Sequence, residues 1–466
     1  LTFSKCDLKQ PVCSRCARWP SQCKYATNFV IFTPPAGTRQ SPESRAEASD
    51  PKVSSLVGGY TPSLPKCLPD CPSPYLQHPQ LRFFMHHFAT QTCDTLFPFA
   101  PPQFGDRLIR TAIYTPHLLY AALTASCSHH TRLVLDDPQR ADLLKSRFTN
   151  LAITNLRKSL EESAGCPDLS SALTAMMLCT NDVCHGDRQL WKTHLHGARD
   201  ILTVLLGDTT GVDETFTSYL VKWYSTLDIA AILSGRSDSS VSNGRYWPLT
   251  TIVKTLHLDT AYVDNICGYS IELWPFLARL GALIHKCESQ IRLTTGVGKP
   301  GTTAPVDSRG DLETKAIEAG ITALVYRPAS EETHRLLGEL KAEELRWTHA
   351  AFVYTALLHL HRRVLLLPKT HEKVRTDITN ILNCIRQINS ASSANILILW
   401  PIFSTGCDTD IPQERAFVKG RMMEMKVLGL GNFSRAHDVM VAYWDSGSSL
   451  HWNDFIAHNH FDIVLF

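Results

Sequence analysis

The chain has 466 residues, 44% of them hydrophobic and 19% charged, which is enough to bury one large or two medium cores and excludes a chain that is disordered throughout. Its formal net charge of +2 excludes a general electrostatic attraction to nucleic acid or membranes, so binding of that kind requires a local patch. The fifteen cysteines are an odd number and residues 1–5 lack the apolar core of a signal peptide, so we expect a reducing compartment.

A group of closely spaced cysteines opens the chain. Cys6, Cys13, Cys16 and Cys23 follow the spacing C-x6-C-x2-C-x6-C. Zinc prefers tetrahedral thiolate ligation, and a C-x2-C pair lets one tight turn offer two sulfurs to the same ion. Chance clustering of buried cysteines is the alternative, but cations separate these cysteines and almost no apolar core lies nearby. The four residues are therefore predicted to bind Zn2+.

Positive charge is concentrated in the same segment. Residues 1–30 contain five lysines and arginines against the single acidic residue Asp7, a local excess of four charges in a nearly neutral chain. Neutralisation of phosphates by such residues supplies much of the affinity of a DNA-binding protein. The predicted partner is double-stranded DNA, and the predicted contacts are Lys5, Lys9, Arg15 and Arg18.

This segment resembles the fungal binuclear zinc-cluster family, whose pattern is C-x2-C-x6-C, a short loop, then C-x2-C-x6-C. Cys6 matches the third family cysteine, with the Lys-Cys-Asp signature around it, and Pro11 matches the loop proline. Cys13, Cys16 and Cys23 match the fourth, fifth and sixth cysteines. The resemblance implies two zinc ions that share six thiolates, with Cys13 bridging the metals, Cys6 serving one ion, and Cys16 and Cys23 serving the other.

The first two family cysteines have no counterpart in this chain, which affects DNA binding more than zinc binding. In the family, the base-reading residues lie chiefly on a short helix before the third cysteine, which enters the major groove. Here those positions are Leu1–Ser4, and only Lys5 is basic. A missing first exon and a loss of the reading head are both open, and we expect the missing exon.

A linker follows the cysteine segment. Residues 33–74 contain nine prolines and seven serines and show no helical or strand period that could bury a face. The family often dimerises through a heptad helix at this place, but Ala26–His78 shows no apolar heptads. A homodimer is therefore left open.

From about Gln80 onward, apolar residues recur at helical spacing and strand-like alternation is scarce. In Leu144–Leu160, for example, apolar residues three or four apart occupy one face and basic residues fill the others. We predict an all-α fold in three parts: a partial zinc cluster at 1–30, a disordered linker at 31–78, and a large multi-helix domain at 79–466. The other segments with this pattern are His117–Leu133, Asp168–Cys184, Gln189–Leu206, Tyr219–Leu233, Glu343–Leu367 and Val374–Ile388.

The helical part resembles the fungus-specific regulatory domain found downstream of many such clusters. The resemblance covers most of residues 79–445 and is strongest near the end of that range. It implies an all-helical domain that controls activation, sometimes by sensing a metabolite, with no catalytic activity established for the fold as a whole. The matching residues there are Trp400-Pro401, Phe403, Gly406-Cys407, Arg415, Gly431-Asn432, Ala436 and Trp444.

Four charged or titratable residues lie close together near the end of the predicted helix Glu343–Leu367. They are His359, His361, Arg362 and Arg363. An anion pocket is one interpretation. We expect a solvated face instead, in which the side-chain stems cover apolar surface and the charges contact water.

Other isolated motifs are interpreted as structural. His194 and His196 point apart on a helix, so they are not expected to hold a metal together. Asp408 and Asp410 suggest paired carboxylates, but a turn explains them equally well. Gly429, Gly431 and Asn432 resemble half of a dinucleotide-binding motif, but they follow a predicted helix rather than a strand, which fits a helix C-cap better.

These observations favour a zinc-dependent, sequence-specific DNA-binding regulator of RNA polymerase II transcription in the nucleus. The expected partners are DNA and the transcription machinery or co-regulators, with no membrane association. The alternative is a co-regulator that acts through the helical domain without contacting DNA. An enzyme is not expected, because the chain lacks G-x-S-x-G, H-E-x-x-H and a complete phosphate-binding loop.

Overall fold

The computed structural model describes residues 73–134, 138–163, 166–185, 190–207, 213–233, 249–295, 308–461 and 463–465. Within these ranges the chain forms eighteen α-helices with short 3-10 and π-helical turns and no β-strand. The all-α prediction is confirmed for this part of the chain. The cysteine segment and nearly all of the predicted linker lie outside the described residues.

The helices follow one another through short connections. Those of the first half are α1 (Pro79–His87), α2 (Cys93–Leu96), α3 (Pro102–Tyr114), α4 (Pro116–Val134), α5 (Pro138–Glu162), α6 (Leu169–His185), α7 (Leu190–Gly207), α8 (Glu214–Leu233) and α9 (Leu249–Thr255). Those of the second half are α10 (Trp274–Thr295), α11 (Ser308–Thr322), α12 (Glu331–Leu337), α13 (Glu339–His359), α14 (Glu372–Gln387), α15 (Leu399–Asp408), α16 (Pro412–Met425), α17 (Gly431–Ser446) and α18 (Trp452–His458).

The segments with an apolar helical period overlap with these helices. They correspond to α4 to α8 and to α14, with shifts of a few residues at the ends. The predicted helix Glu343–Leu367 differs, because α13 ends at His359 and a π-helical turn, Leu360–Val364, follows it. A π-helical turn widens the helix by one residue per turn and often marks a functional position.

Helix α4 lies at the centre of the first half. Every residue from Ala121 to His129 is buried, on all sides of the helix. A helix that is buried on all sides has to be surrounded by other elements. Accordingly, α4 packs against α1, α3, α5 and α6, and α6 packs in turn against α7.

Helix α13 has the corresponding place in the second half, where it packs against α11, α12, α14 and α15. The sequence of α14 shows how one of these neighbours covers it. Val374, Ile378, Ile381 and Ile385 recur at intervals of three or four residues and are buried. These residues form a single apolar stripe, so α14 contacts the core through one face; of its charged residues, Asp377 is buried on that side as well.

The two halves meet where α10 packs against α8. The close approach requires a glycine, because a Cβ atom on Gly281 would collide with the Cγ2 atom of Ile232. The C-cap predicted at Gly429 is confirmed, because this residue has a left-handed φ of 72° at the end of the 3-10 turn Lys426–Leu428, whereas Gly431 and Asn432 lie in the first turn of α17. None of the helices in the described part of the chain is long and apolar enough to cross a membrane.

Candidate functional site

The charged run at the π-helical turn is buried. His359, His361 and Arg363 are 1%, 3% and 4% exposed, and the side chain of Arg362 is 13% exposed. The prediction of a solvated face is therefore wrong. The widened turn is enclosed by α10 and α14, and each of the four side chains has a polar partner on another element.

Arg363 links several elements of the domain. Its Nη2 atom donates to Oε1 of Glu288 on α10 over 2.7 Å, and its Nη1 atom donates to the carbonyl of Leu233 at the end of α8 over 2.8 Å. The Nδ2 atom of Asn453, on α18, donates to the same Glu288 oxygen over 3.3 Å. The guanidinium also lies over the ring of Trp452, 5.9 Å from its centre. This one side chain thus connects α8, α10, α18 and the π-helical turn.

His359 is a neutral member of the network. Burial, and then the neighbouring charge of Arg363, hold its pKa well below the ordinary value. The Nη1 atom of Arg363 lies 3.3 Å from Nδ1 of His359, and Nε2 of His359 lies 2.9 Å from Oγ of Ser404. Because a guanidinium only donates, Nδ1 must accept and Nε2 carries the proton. The histidine therefore relays a hydrogen bond from Arg363 to Ser404 on α15.

Asp408 is a buried carboxylate rather than part of an exposed turn. Arg362 Nε donates to its Oδ1 atom over 2.8 Å, and Trp452 Nε1 donates to its Oδ2 atom over 3.2 Å. Burial opposes ionisation, but His451 and Arg362 outweigh it and hold the pKa of Asp408 well below its usual range. Asp410, by contrast, is exposed and pairs with Lys369 and Arg415.

His361 faces away from this network, toward α11 and α14. Its Nδ1 atom is 2.6 Å from Oδ2 of Asp377, and its Nε2 atom is 3.1 Å from Oε1 of Glu318. Burial lowers the pKa of His361, but the two carboxylates raise it by a larger amount. The pKa of His361 is therefore above its ordinary value. Lys373 also binds Glu318, over 2.5 Å.

An apolar cavity of about 40 Å3 borders the charged network. Leu233, whose carbonyl accepts from Arg363, is part of its wall. Trp400 is another part, and its ring centre lies 4.9 Å from that of His359. The cavity and the network therefore share their boundary between the two halves of the domain.

The network ties several helices together through hydrogen bonds and ion pairs. The buried thiol of Cys267 beside the cavity has a pKa raised well above the ordinary value by burial, so it stays protonated. No group of three or more His, Cys, Asp or Glu side chains among the described residues could hold a metal ion. The Nε2 atom of His194 lies 3.6 Å from the Oδ2 atom of Asp182, which is a contact between α7 and α6.

The residues predicted from the sequence to bind metal and DNA lie outside the described residues. These are Cys6, Cys13, Cys16, Cys23, Lys5, Lys9, Arg15 and Arg18. Conversely, sequence reasoning did not identify Glu288, Ser404 or Asn453 as partners of the charged run. Each lies on a separate helix, and no local sequence pattern pairs it with the charged run.

Comparison with known proteins places this domain in a family. The comparisons with curated proteins and with solved structures returned no match. A family model described as "Fungal specific transcription factor domain" matches residues 82–466, which is most of the chain and includes the charged network and the cavity. The chain therefore belongs to the fungal-specific transcription factor domain family.

Proposed function

We propose that this chain is a zinc-dependent, sequence-specific DNA-binding regulator of RNA polymerase II transcription that acts in the nucleus. The family match over residues 82–466 carries the transcriptional part of this proposal. DNA binding and zinc dependence rest on residues 1–30, where four cysteines and five cations are interleaved.

Cys6, Cys13, Cys16 and Cys23 would hold the metal. Four thiolates are the donor set that structural zinc sites use most, so these residues fit the ion by their chemistry. When bound, zinc supplies a covalent-like crosslink that fixes the fold of a segment too small and too polar to build a core.

Lys5, Lys9, Arg15 and Arg18 would contact DNA. They lie beside or between the cysteines, so a metal-fixed fold would hold them at one surface. Lysine and arginine neutralise phosphates, and arginine also binds guanine edges in the major groove. The helical domain would then act on the transcription machinery or on co-regulators through protein contacts, without catalysis.

A second candidate is a co-regulator that does not contact DNA. One observation favours it: the family match begins at residue 82 and so does not include the cysteine segment. In this alternative the helical domain alone carries the regulatory function.

Metal analysis of the full chain tests the zinc proposal. The purified chain should contain about one zinc ion, because four thiolates close a single tetrahedral shell. Replacing all four cysteines by serine should remove the ion. A matched control with Cys166→Ser and Cys287→Ser changes two thiols of the helical domain that are not buried and should keep the zinc. Equal zinc content in the four-serine variant and the control would refute the ligand assignment.

A further inference from the structure

The cavity between the two halves of the domain has an aromatic wall and no charged residue. Two aromatic pairs line it: Phe97 with Trp223, whose ring centres are 4.7 Å apart, and Tyr269 with Phe352, whose ring centres are 4.5 Å apart. Burial raises the pKa of Tyr269 well above its usual value, so the phenol stays neutral. A space with this lining favours an uncharged, mainly apolar occupant.

Two tryptophans line the cavity, and their N–H groups differ. The Nε1 atom of Trp223 donates to Oγ1 of Thr180 over 3.0 Å. The Nε1 atom of Trp400 is buried and has no hydrogen-bond partner within the described part of the chain. A buried donor without an acceptor keeps the full cost of its desolvation, and a bound acceptor atom would remove that cost. Trp400 therefore supplies one polar anchor in an apolar space.

One wall of the cavity comes from a segment that belongs to no helix. Ile463, Val464 and Leu465 are 7%, 4% and 2% exposed, and Leu465 lines the cavity. The present volume of about 40 Å3 accommodates only a few heavy atoms. Because the Leu465 side chain fills space next to the aromatic wall, a larger occupant requires this side chain to move.

We propose that the cavity is a binding site for a compact, uncharged, mainly apolar molecule with one hydrogen-bond acceptor. The acceptor atom bonds to Nε1 of Trp400, and the apolar body takes the space of the Leu465 side chain. Occupancy is transmitted to the charged network because Leu233 lines the cavity and its carbonyl accepts from Arg363. This inference goes beyond the proposed function and involves neither zinc nor DNA.

Cyclohexanone, a six-membered ring with one carbonyl, is a suitable probe, and cyclohexane is the same ring without an acceptor. Binding to the full chain is measured by ligand-detected NMR in the presence of a metal chelator. Leu465→Ala should tighten cyclohexanone binding by about tenfold, because it removes the side chain that competes for the space. Leu450→Ala, at a 46% exposed leucine outside the cavity wall, is the matched control and should leave binding unchanged.

Two further variants test the anchor and the space. In the Leu465→Ala background, Trp400→Phe should weaken cyclohexanone binding by about fivefold and leave cyclohexane binding unchanged, because only the N–H is lost. Ala230→Leu adds carbon atoms to the cavity wall and should abolish binding of both probes. Circular dichroism checks that each variant is folded, and Leu465→Val replaces Leu465→Ala if the latter is not.

Equal cyclohexanone affinity in the Leu465 variant and the Leu450→Ala control would overturn the proposal. An equal effect of Trp400→Phe on both probes would overturn the role of the indole N–H. The chelator keeps zinc out of every measurement. These outcomes therefore do not test, and do not contradict, the proposal of zinc-dependent DNA binding.

Discussion

Arg363 and Glu288 are 75 residues apart in the sequence, and the Nη2 atom of Arg363 lies 2.7 Å from the Oε1 atom of Glu288 in the helical core. The arginine side chain is 2% exposed and the glutamate side chain is 17% exposed. The charge of each residue is therefore largely removed from water and balanced by the other. The pair lies where α8 and α10 approach the π-helical turn, and the bond from Arg363 to the Leu233 carbonyl connects it to the first half of the domain.

Replacing Arg363 by methionine should destabilise the domain by about 3 kcal/mol, because it leaves the Glu288 carboxylate buried without its cation. The double variant Arg363→Met with Glu288→Leu should recover much of this loss, since no charge then remains unpaired. Urea denaturation monitored by circular dichroism measures both. The exposed pair of Lys158 and Glu162 is the control: Lys158→Ala should cost less than about 0.5 kcal/mol. Equal costs at the two sites would contradict the network's structural role.

The helices could be predicted from the sequence, whereas the charged network could not. A helix such as α14 can be predicted because its apolar residues Val374, Ile378 and Ile381 recur with the period of an α-helix. The run from His359 to Arg363 has the composition of a solvated face. It can be buried because partners that are distant in the sequence offset the cost of removing its charges from water. Glu288 and Asn453 are such partners, and no local pattern links them to the run.

The cavity could not be predicted from the sequence either. Its wall combines residues from the first half, such as Phe97, with Phe352 and Leu465 from the second half. The apolar period of a helix indicates which face is buried, but it does not indicate where two buried faces fail to fill the space between them. Such gaps depend on side-chain packing across several elements.

His349 should make the domain sensitive to acid. Its ring is fully buried, accepts from the backbone N–H of Ser270 at Nδ1, and donates from Nε2 to the carbonyl of Leu324. Burial lowers its pKa to about 4, from the ordinary value of 6.5. Between these two values the unfolded state binds a proton that the folded state does not, so stability falls as the pH falls.

The expected loss from His349 alone is about 3 kcal/mol between pH 6.5 and pH 4. Chemical denaturation across this range measures the slope. The variant His349→Gln has no titrating group at this position, so its stability should decline less steeply with acid, even if it is lower at pH 7. Identical slopes for the original chain and the variant would show that His349 does not titrate as described.

Two glycines in neighbouring helices should respond to alanine in opposite directions. A Cβ atom on Gly406 in α15 would collide with Sδ of Met440 and lie 2.8 Å from Cγ1 of Val418. Gly406→Ala should therefore cost about 1–3 kcal/mol through overpacking. Gly420 in α16 has no atom within 4 Å of such a Cβ, so Gly420→Ala should stabilise the domain by about 0.5–1 kcal/mol. Thermal denaturation compares them; a stabilising Gly406→Ala would contradict the packing of α15 against α17.

Zinc removal should leave the helical domain folded. The described residues contain no group that could hold a metal ion, and the apolar core is built from their own helices. The circular dichroism of the full chain should therefore remain strongly helical after treatment with EDTA. A large loss of helicity would mean that histidines interpreted as structural, such as His194 and His196, are metal ligands.

The most direct test of the proposed function is an electrophoretic shift assay at fixed salt. It compares the chain as given with a version in which a Cys-x2-Cys pair and a basic helix precede Lys5, on random duplexes and on inverted repeats that contain CGG. We predict weak binding by the chain as given, because Leu1–Ser4 offer no side chain that reads guanine. The extended version should bind tightly, prefer the CGG repeats, and lose binding with chelator. No binding by the extended chain with zinc present, or binding without preference for the CGG repeats, would contradict the account.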